Sequence, residues 1–136
     1  MQNDSILDHK KFIYGLPELN IDTIKSAKNI ANPGCFATAI QLSLLPLAQK
    51  NALQQEIHVN AITGATGAGQ KPSATTHFSW RSDNVSTYKE FKHQHLGEIT
   101  ESIKALQQDF NTKINFLPVR GNFASCLLYT SPSPRD

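Results

Sequence analysis

Hydrophobic and polar positions along the chain divide it into short blocks of differing period. Residues 1–10 are mostly polar and predict a loose lead-in that ends by Lys11. Phe12-Ile13-Tyr14-Gly15-Leu16-Pro17-Glu18-Leu19-Asn20 is apolar, but Gly and Pro punctuate it as a loop. The mixed stretch from Ile21 to Ile30 has room for one helical turn and a short strand. Asn32-Pro33-Gly34 is a turn signal. The run from Cys35 to Ala48 is apolar nearly all round, the pattern of a buried helix, which Pro46 should kink or end.

Glu56 to Thr63 carries β-branched Ile57, Val59 and Ile62 and predicts a strand. Gly64 to Gly69 is a glycine-rich loop, and the polar residues through Asn84 predict an ordered but irregular connection. Leu96, Ile99, Ile103, Leu106 and Phe110 recur at helical spacing, which predicts an amphipathic helix from about His95 to Phe110. Ile114 to Val119 predicts a short strand that Pro118 places at a sheet edge or ends. The segment 124–136 is rich in Ser and Pro, continues none of these patterns, and reads as a foreign or disordered tail.

Composition narrows the function classes. A chain of 136 residues with 39% hydrophobic and 18% charged residues is globular in character and long enough to bury a core. The net charge of +2, without a block of one sign, gives no footprint for nucleic acid or an anionic membrane. No apolar run approaches the roughly 20 residues needed to span a bilayer, and the polar start is not a secretory signal. Cys35 and Cys126 have no disulfide-framework spacing and read as reduced thiols of a cytoplasmic protein.

Cys35 stands in the setting most suggestive of chemistry. It follows a Pro-Gly turn and opens a helix, where unpaired backbone N–H groups and the positive end of the helix dipole favour thiolate. The same N–H groups suit a developing oxyanion. The other reading of Cys35 is a small buried hydrophobe. His93 and His95 flank the start of the amphipathic helix, and Glu98 lies one turn beyond His95. An imidazole is the usual proton partner of a cysteine nucleophile. Two plain helix-start histidines, or a zinc site with Cys35, are the other readings; no CxxC or HExxH spacing supports the zinc. Gly64 to Gly69 follows a strand but opens no apolar helix, so it is a weak candidate for a dinucleotide phosphate loop and a better one for close backbone approach to a ligand. Lys71 and Arg81 are available for anionic groups or are ordinary surface charge.

Taken together, these segments resemble the N-acetyl-γ-glutamyl-phosphate reductase family. Asn32-Pro33-Gly34-Cys35-Phe36-Ala37-Thr38 is similar to its active-site signature, and Tyr14-Gly15-Leu16-Pro17-Glu18-Leu19 to a segment upstream of it. Thr66-Gly67-Ala68-Gly69 is similar to its Ser-Gly-Ala-Gly loop, with Thr66 in place of Ser. Thr75-Thr76-His77-Phe78, Tyr88-Lys89, His93-Gln94-His95-Leu96-Gly97-Glu98-Ile99 and Pro118-Val119-Arg120-Gly121 follow in order. The resemblance implies an α+β catalytic and dimerisation domain, over residues 12–123, of a two-domain NADP-dependent reductase whose N-terminal Rossmann domain is mostly missing here. It implies reduction of an acyl phosphate to the semialdehyde through a thioester on Cys35, with His95 as acid–base. His93, Asn32 and Arg81 are then assigned to substrate, and Gly67, Ala68 and Gly69 to the NADP cofactor, with no metal. The complete protein is expected to be a homo-oligomer in arginine biosynthesis, without nucleic-acid or membrane partners. An aspartate-semialdehyde-dehydrogenase-like reductase is the alternative enzyme. An inactive fragment acting as a binding module is the non-enzymatic one.

Overall fold

The computed structural model describes residues 5–7, 10–69, 71 and 73–124, with side chains from residue 10 onward. Cys126 and the expectation of a foreign tail lie outside the described residues. The described residues fall into two compact units, one of residues up to 57 together with 94–115, the other of residues 58–93 together with those from 116 onward.

In the first unit, strands β1 (Ser5–Leu7) and β2 (Lys10–Tyr14) pair antiparallel, with Ile6 opposite Lys11. Strand β3 (Ile30–Ala31) joins β2 in parallel through Ile13–Ile30 and Tyr14–Ala31. Residues 5–7 of the predicted lead-in and residues 10–14, which run into the start of the predicted loop, are therefore strands. Strand β2 takes its partners from two sides, and pairing fixes what its five residues do not signal.

Helix α1 (Pro17–Ser26) replaces the single helical turn expected between Ile21 and Ile30. Pro17 sits at its start, where the missing N–H costs nothing, and Glu18 and Lys25 complement the dipole at the two ends. Asn20 departs from helical geometry (φ −131°, ψ 25°) while its side-chain amide donates to the Tyr14 carbonyl at 3.0 Å. The Gly-Pro punctuation thus marks a strand-to-helix junction.

Helix α2 (Cys35–Ala48) begins where the turn signal placed it. It is buried along one stripe, Phe36, Ala37, Ile40, Gln41, Leu44, Leu45 and Ala48, and not all round, since Leu47 is about half exposed (48%). The helix continues two residues beyond Pro46. Pro46 lies on the exposed side of the last turn, where the lost N–H is tolerated.

Helix α4 (His95–Leu106) packs against α2 through Ile99 and Ile103, both fully buried. Burying each of these side chains stabilises the pair by about 1.5–3 kcal/mol. The helix stops a turn before the predicted Phe110. Gln107 leaves helical geometry (φ −117°, ψ 91°), and its buried amide clamps the Leu53 backbone. Leu53 N–H donates to Gln107 Oε1 at 3.3 Å, and Gln107 Nε2 donates to Leu53 O at 3.1 Å. Phe110 remains buried beyond the helix end.

The second unit is built on a sheet of order β4-β6-β5: β4 (Ile57–Gly64), β5 (Ser86–Thr87) and β6 (Ile114–Gly121). Strand β6 is the middle strand and runs through Pro118, against the expectation of an edge or an end there. Its antiparallel register with β5 sets Thr87 opposite Val119 and Ser86 opposite Arg120. The proline carbonyl accepts from Tyr88 N–H at 3.2 Å, so its missing donor faces the side where β5 stops after Thr87. The polar stretch read as irregular holds a 3-10 turn (Ala74–Thr76) and a four-residue helix α3 (Phe78–Arg81). Among the described residues, no helix is long and apolar enough to cross a membrane.

The Gln107 clamp generates a stability test. Gln107→Leu keeps the volume but leaves the N–H and C=O of buried Leu53 without these partners. The expected loss is about 1–3 kcal/mol, or a thermal midpoint lower by about 4–8 °C for each kcal/mol. A midpoint equal to that of the parent in calorimetry would show that solvent satisfies the Leu53 backbone.

Candidate active site

The entry to α2 is the centre of the site. Pro33-Gly34 is extended at Gly34 (φ −64°, ψ 150°), and Cys35 is the first residue of the helix. Gly34 has no side chain to cap the first turn, so that turn's amide groups are not drawn away by a capping oxygen. Its carbonyl accepts from Thr38 N–H at 2.9 Å and from the Thr38 hydroxyl at 3.1 Å. Cys35 is partly exposed.

Helix α4 delivers His95 and Glu98 to this turn. A Cβ added at Gly34 would come within 2.6 Å of His95 Cδ2 and Cε1 and nearer still to Nε2. The imidazole therefore lies against the backbone immediately before Cys35, and only glycine leaves that space. Phe36 holds the ring from another side, edge-on at a centroid distance of 6.4 Å. Glu98 touches both partners: Oε2 accepts the Gly34 N–H at 3.3 Å, and Oε1 lies 3.9 Å from His95 Nε2.

Two further residues belong to this group and escaped the sequence reading. Tyr14, at the end of β2, donates its hydroxyl to Glu98 Oε2 at 2.8 Å. Gln41, fully buried on α2, donates to the Tyr14 oxygen at 2.6 Å. Burial, the largest cause, pushes the Tyr14 hydroxyl well above its ordinary range; the Gln41 bond works against this, and the Glu98 carboxylate adds to it. Tyr14 thus keeps its proton and acts as a donor. These contacts join residues 84 and 27 positions apart, so no local periodicity could have signalled them.

Asn32, also in the first unit, is exposed, and its amide donates to the Pro33 carbonyl at 3.3 Å. The other candidates lie in the second unit. His93 is buried, edge-on to Tyr88 (5.7 Å) and Phe116 (5.2 Å). Arg81 is no surface charge: it is 2% exposed, and its guanidinium donates to Thr75 O at 3.1 and 2.8 Å, to Arg120 O at 2.7 Å and to Ser86 Oγ at 3.0 Å. Those bonds tie the irregular loop to β5 and β6. Arg120 lies over the Tyr88 ring, 4.1 Å from its centroid.

Gly67 and Ala68 lie in a 3-10 turn (Ala65–Ala68) after β4 and Gly69 follows it, all three exposed. Gly69 has φ +83°, which favours glycine, and a Cβ there would meet nothing within 4 Å. The turn offers open backbone but opens no α-helix, so it lacks the helix N-terminus that binds a pyrophosphate in a dinucleotide loop. Among the described residues there is no cluster of His, Cys, Asp and Glu fit for a metal ion.

The chain is 60% identical over 120 residues to the N-acetyl-gamma-glutamyl-phosphate reductase of Parabacteroides distasonis, covering 88% of this chain and 37% of that protein. It is 61% identical over 119 residues to the reductase of the same name from Azobacteroides pseudotrichonymphae, covering 88% of this chain and 36% of that protein. With the reductase of Christiangramia forsetii it shares 61% identity over 117 residues, 86% of this chain and 36% of that protein. The chain thus spans little more than a third of the length of the curated relatives it matches. The family model described as semialdehyde dehydrogenase, dimerisation domain, matches residues 35–135, from the Cys35 helix onward. With that match over most of its length, the chain belongs to the semialdehyde dehydrogenase family.

Proposed function

We propose that, within a full-length protein, this chain supplies the nucleophile and the acid–base group for NADPH-dependent reduction of N-acetyl-γ-glutamyl phosphate to its semialdehyde. The observation that carries the reading is the packing of the His95 imidazole against Gly34, directly before a cysteine at a helix start. The names of the relatives supply the substrate.

In this reading the Cys35 thiolate forms a bond to the γ-acyl carbon, and phosphate leaves with the electrons of the broken C–O bond, giving a thioester. The amide groups at the start of α2 and the helix dipole favour the thiolate. When bound, the nicotinamide cofactor supplies the hydride that reduces the thioester carbon. His95 gives a proton to the resulting oxyanion and takes it back as the thiohemiacetal collapses, releasing aldehyde and restoring the thiolate. Glu98 holds the imidazole in place. The backbone of Gly67, Ala68 and Gly69 would hold the cofactor, since these residues are exposed and the two glycines carry no side-chain bulk.

His93 and Asn32 would bind substrate, and Arg81 would serve by fixing the loop at Thr75 and the backbone of Arg120. The family description supports pairing of this chain with another copy of itself. Phe78, Trp80, Val85 and Phe91, each more than half exposed, give the second unit apolar surface to bury.

The test uses a full-length reductase carrying this segment. Cys35→Ser should abolish turnover, because a serine hydroxyl is far less ionised than a thiol. His95→Asn should lower kcat by roughly 10²–10⁴-fold, while His93→Asn should mainly raise KM. A kcat loss on His93 with His95→Asn nearly silent would swap the roles, and a few-fold effect from both would sink the acid–base assignment. Gly34→Ala carries an independent expectation. Its Cβ displaces the His95 ring, so kcat should fall roughly 10²-fold, the order of the cost of a 1 Å misplacement. Full activity in that variant would show that the imidazole need not lie against the Cys35 turn.

A further inference from the structure

We propose that Tyr14 is a positioning residue for His95, acting through Glu98 and held in place by Gln41. The proposal rests on the reading of His95 as the acid–base group, and its test separates the two.

The chain of contacts is continuous and directional. Gln41 Nε2 donates to Tyr14 Oη at 2.6 Å, which occupies the acceptor side of the phenol and leaves its single proton for Glu98 Oε2 at 2.8 Å. The same Oε2 accepts the Gly34 N–H at 3.3 Å. With both donors on one oxygen, the carboxylate plane is set, and Oε1 is left facing His95 Nε2 at 3.9 Å. One carboxylate therefore fixes the backbone before Cys35 with one oxygen and confronts the imidazole with the other. Gln41 is fully buried, and its Oε1 has no hydrogen-bond partner among the described residues. A glutamine kept at that cost is consistent with a requirement for its donor. A buried methionine or leucine would fill the α2 stripe without it.

The hydroxyl also tempers charge. By donating to Glu98 it draws electron density away from the oxygen that faces His95, so the carboxylate stabilises an imidazolium less than a bare one would. Among the titratable groups of this unit, Glu98 from α4 itself faces His95, with Tyr14 from β2 joined through it, and Cys35 follows the Gly34 turn on which the ring packs. Strand β3 contributes none, and Glu18 of α1 lies with Leu106 at the far end of α4. Removing the Tyr14 hydroxyl should therefore raise the pH at which His95 loses its proton, and removing the Glu98 charge should lower it. Mere loosening of the helix entry would not move the two variants in opposite directions.

The experiment compares Tyr14→Phe, Glu98→Gln and the parent in a full-length reductase carrying this segment. Two readouts are taken: the pH profile of kcat, and the titration of the His95 ring by histidine-selective NMR, assigned with His95→Asn. Tyr14→Phe should lower kcat about tenfold with little change in KM, the effect of losing one hydrogen bond to a charged group, and should shift the His95 titration upward. Glu98→Gln should shift it downward. Gln41→Met, which releases Tyr14 without touching Glu98, should move it in the same direction as Tyr14→Phe, and serves alone if that variant does not fold. Coincident titrations, or shifts of one sign in all variants, would overturn the proposal. Opposite shifts in a protein that shows no reductase activity would uphold the positioning and remove only the reductase reading.

Discussion

A carboxylate accepts at two oxygens, and the first unit turns on how Glu98 divides them. One oxygen collects a phenol proton from β2 and a backbone amide from the α2 entry, while the other faces the imidazole one turn earlier on its own helix. Three elements that are distant in sequence are fixed to one functional group. That arrangement needs α4 to lie at a set depth against α2. Ile99 and Ile103 provide this, since both are fully buried on the face adjoining Glu98. Hydrophobic burial sets the approach of the helices, and polar bonds choose the register at their ends. The nonspecific term is larger, but only the directional one can place an imidazole against a particular peptide.

The second unit uses the opposite charge for a comparable purpose. A guanidinium taken out of water is costly unless its N–H groups are met. Arg81 meets them with carbonyls and a hydroxyl: Thr75 from the polar loop, Arg120 from the middle strand and Ser86 from the edge strand. The loop has little apolar content from which to build a core, and this one side chain gives it a fixed point. The short helix α3 exists largely to bring Arg81 inward, being the only buried residue of its four.

What could be read from the sequence follows from the range of the forces concerned. The start of α2 at Cys35, the start of α4 at His95 and the strand β4 were all legible, because turn residues, helical period and β-branched alternation are local signals. Strands β1 and β2 were not, because short strands owe their form to partners elsewhere in the chain. Pro118 misled for the same reason: the prohibition on a central proline holds only where a neighbouring strand needs its N–H, and β5 has already ended there. The α4 terminus was placed too late because Phe110 keeps the apolar period after Gln107 has turned its amide to Leu53. At the site, His95 and Glu98 were adjacent by helical spacing, while Tyr14 and Gln41 became visible only in three dimensions. Arg81 looked like any exposed cation in a polar run, since burial of a charge leaves no trace in local composition.

The contact between Gly34 and His95 also bears on how this segment can diverge. The two positions occupy one shared volume, so neither is free to change alone: a side chain at 34 requires a smaller or displaced group at 95. Their substitutions should therefore be coupled across 61 positions of chain, and a Pro-Gly-Cys turn in a related sequence is informative only when read together with the residue that opens the later helix. A search for descendants of this site by the cysteine motif alone would accept chains whose imidazole has been lost, whereas the pair identifies those in which the geometry survives.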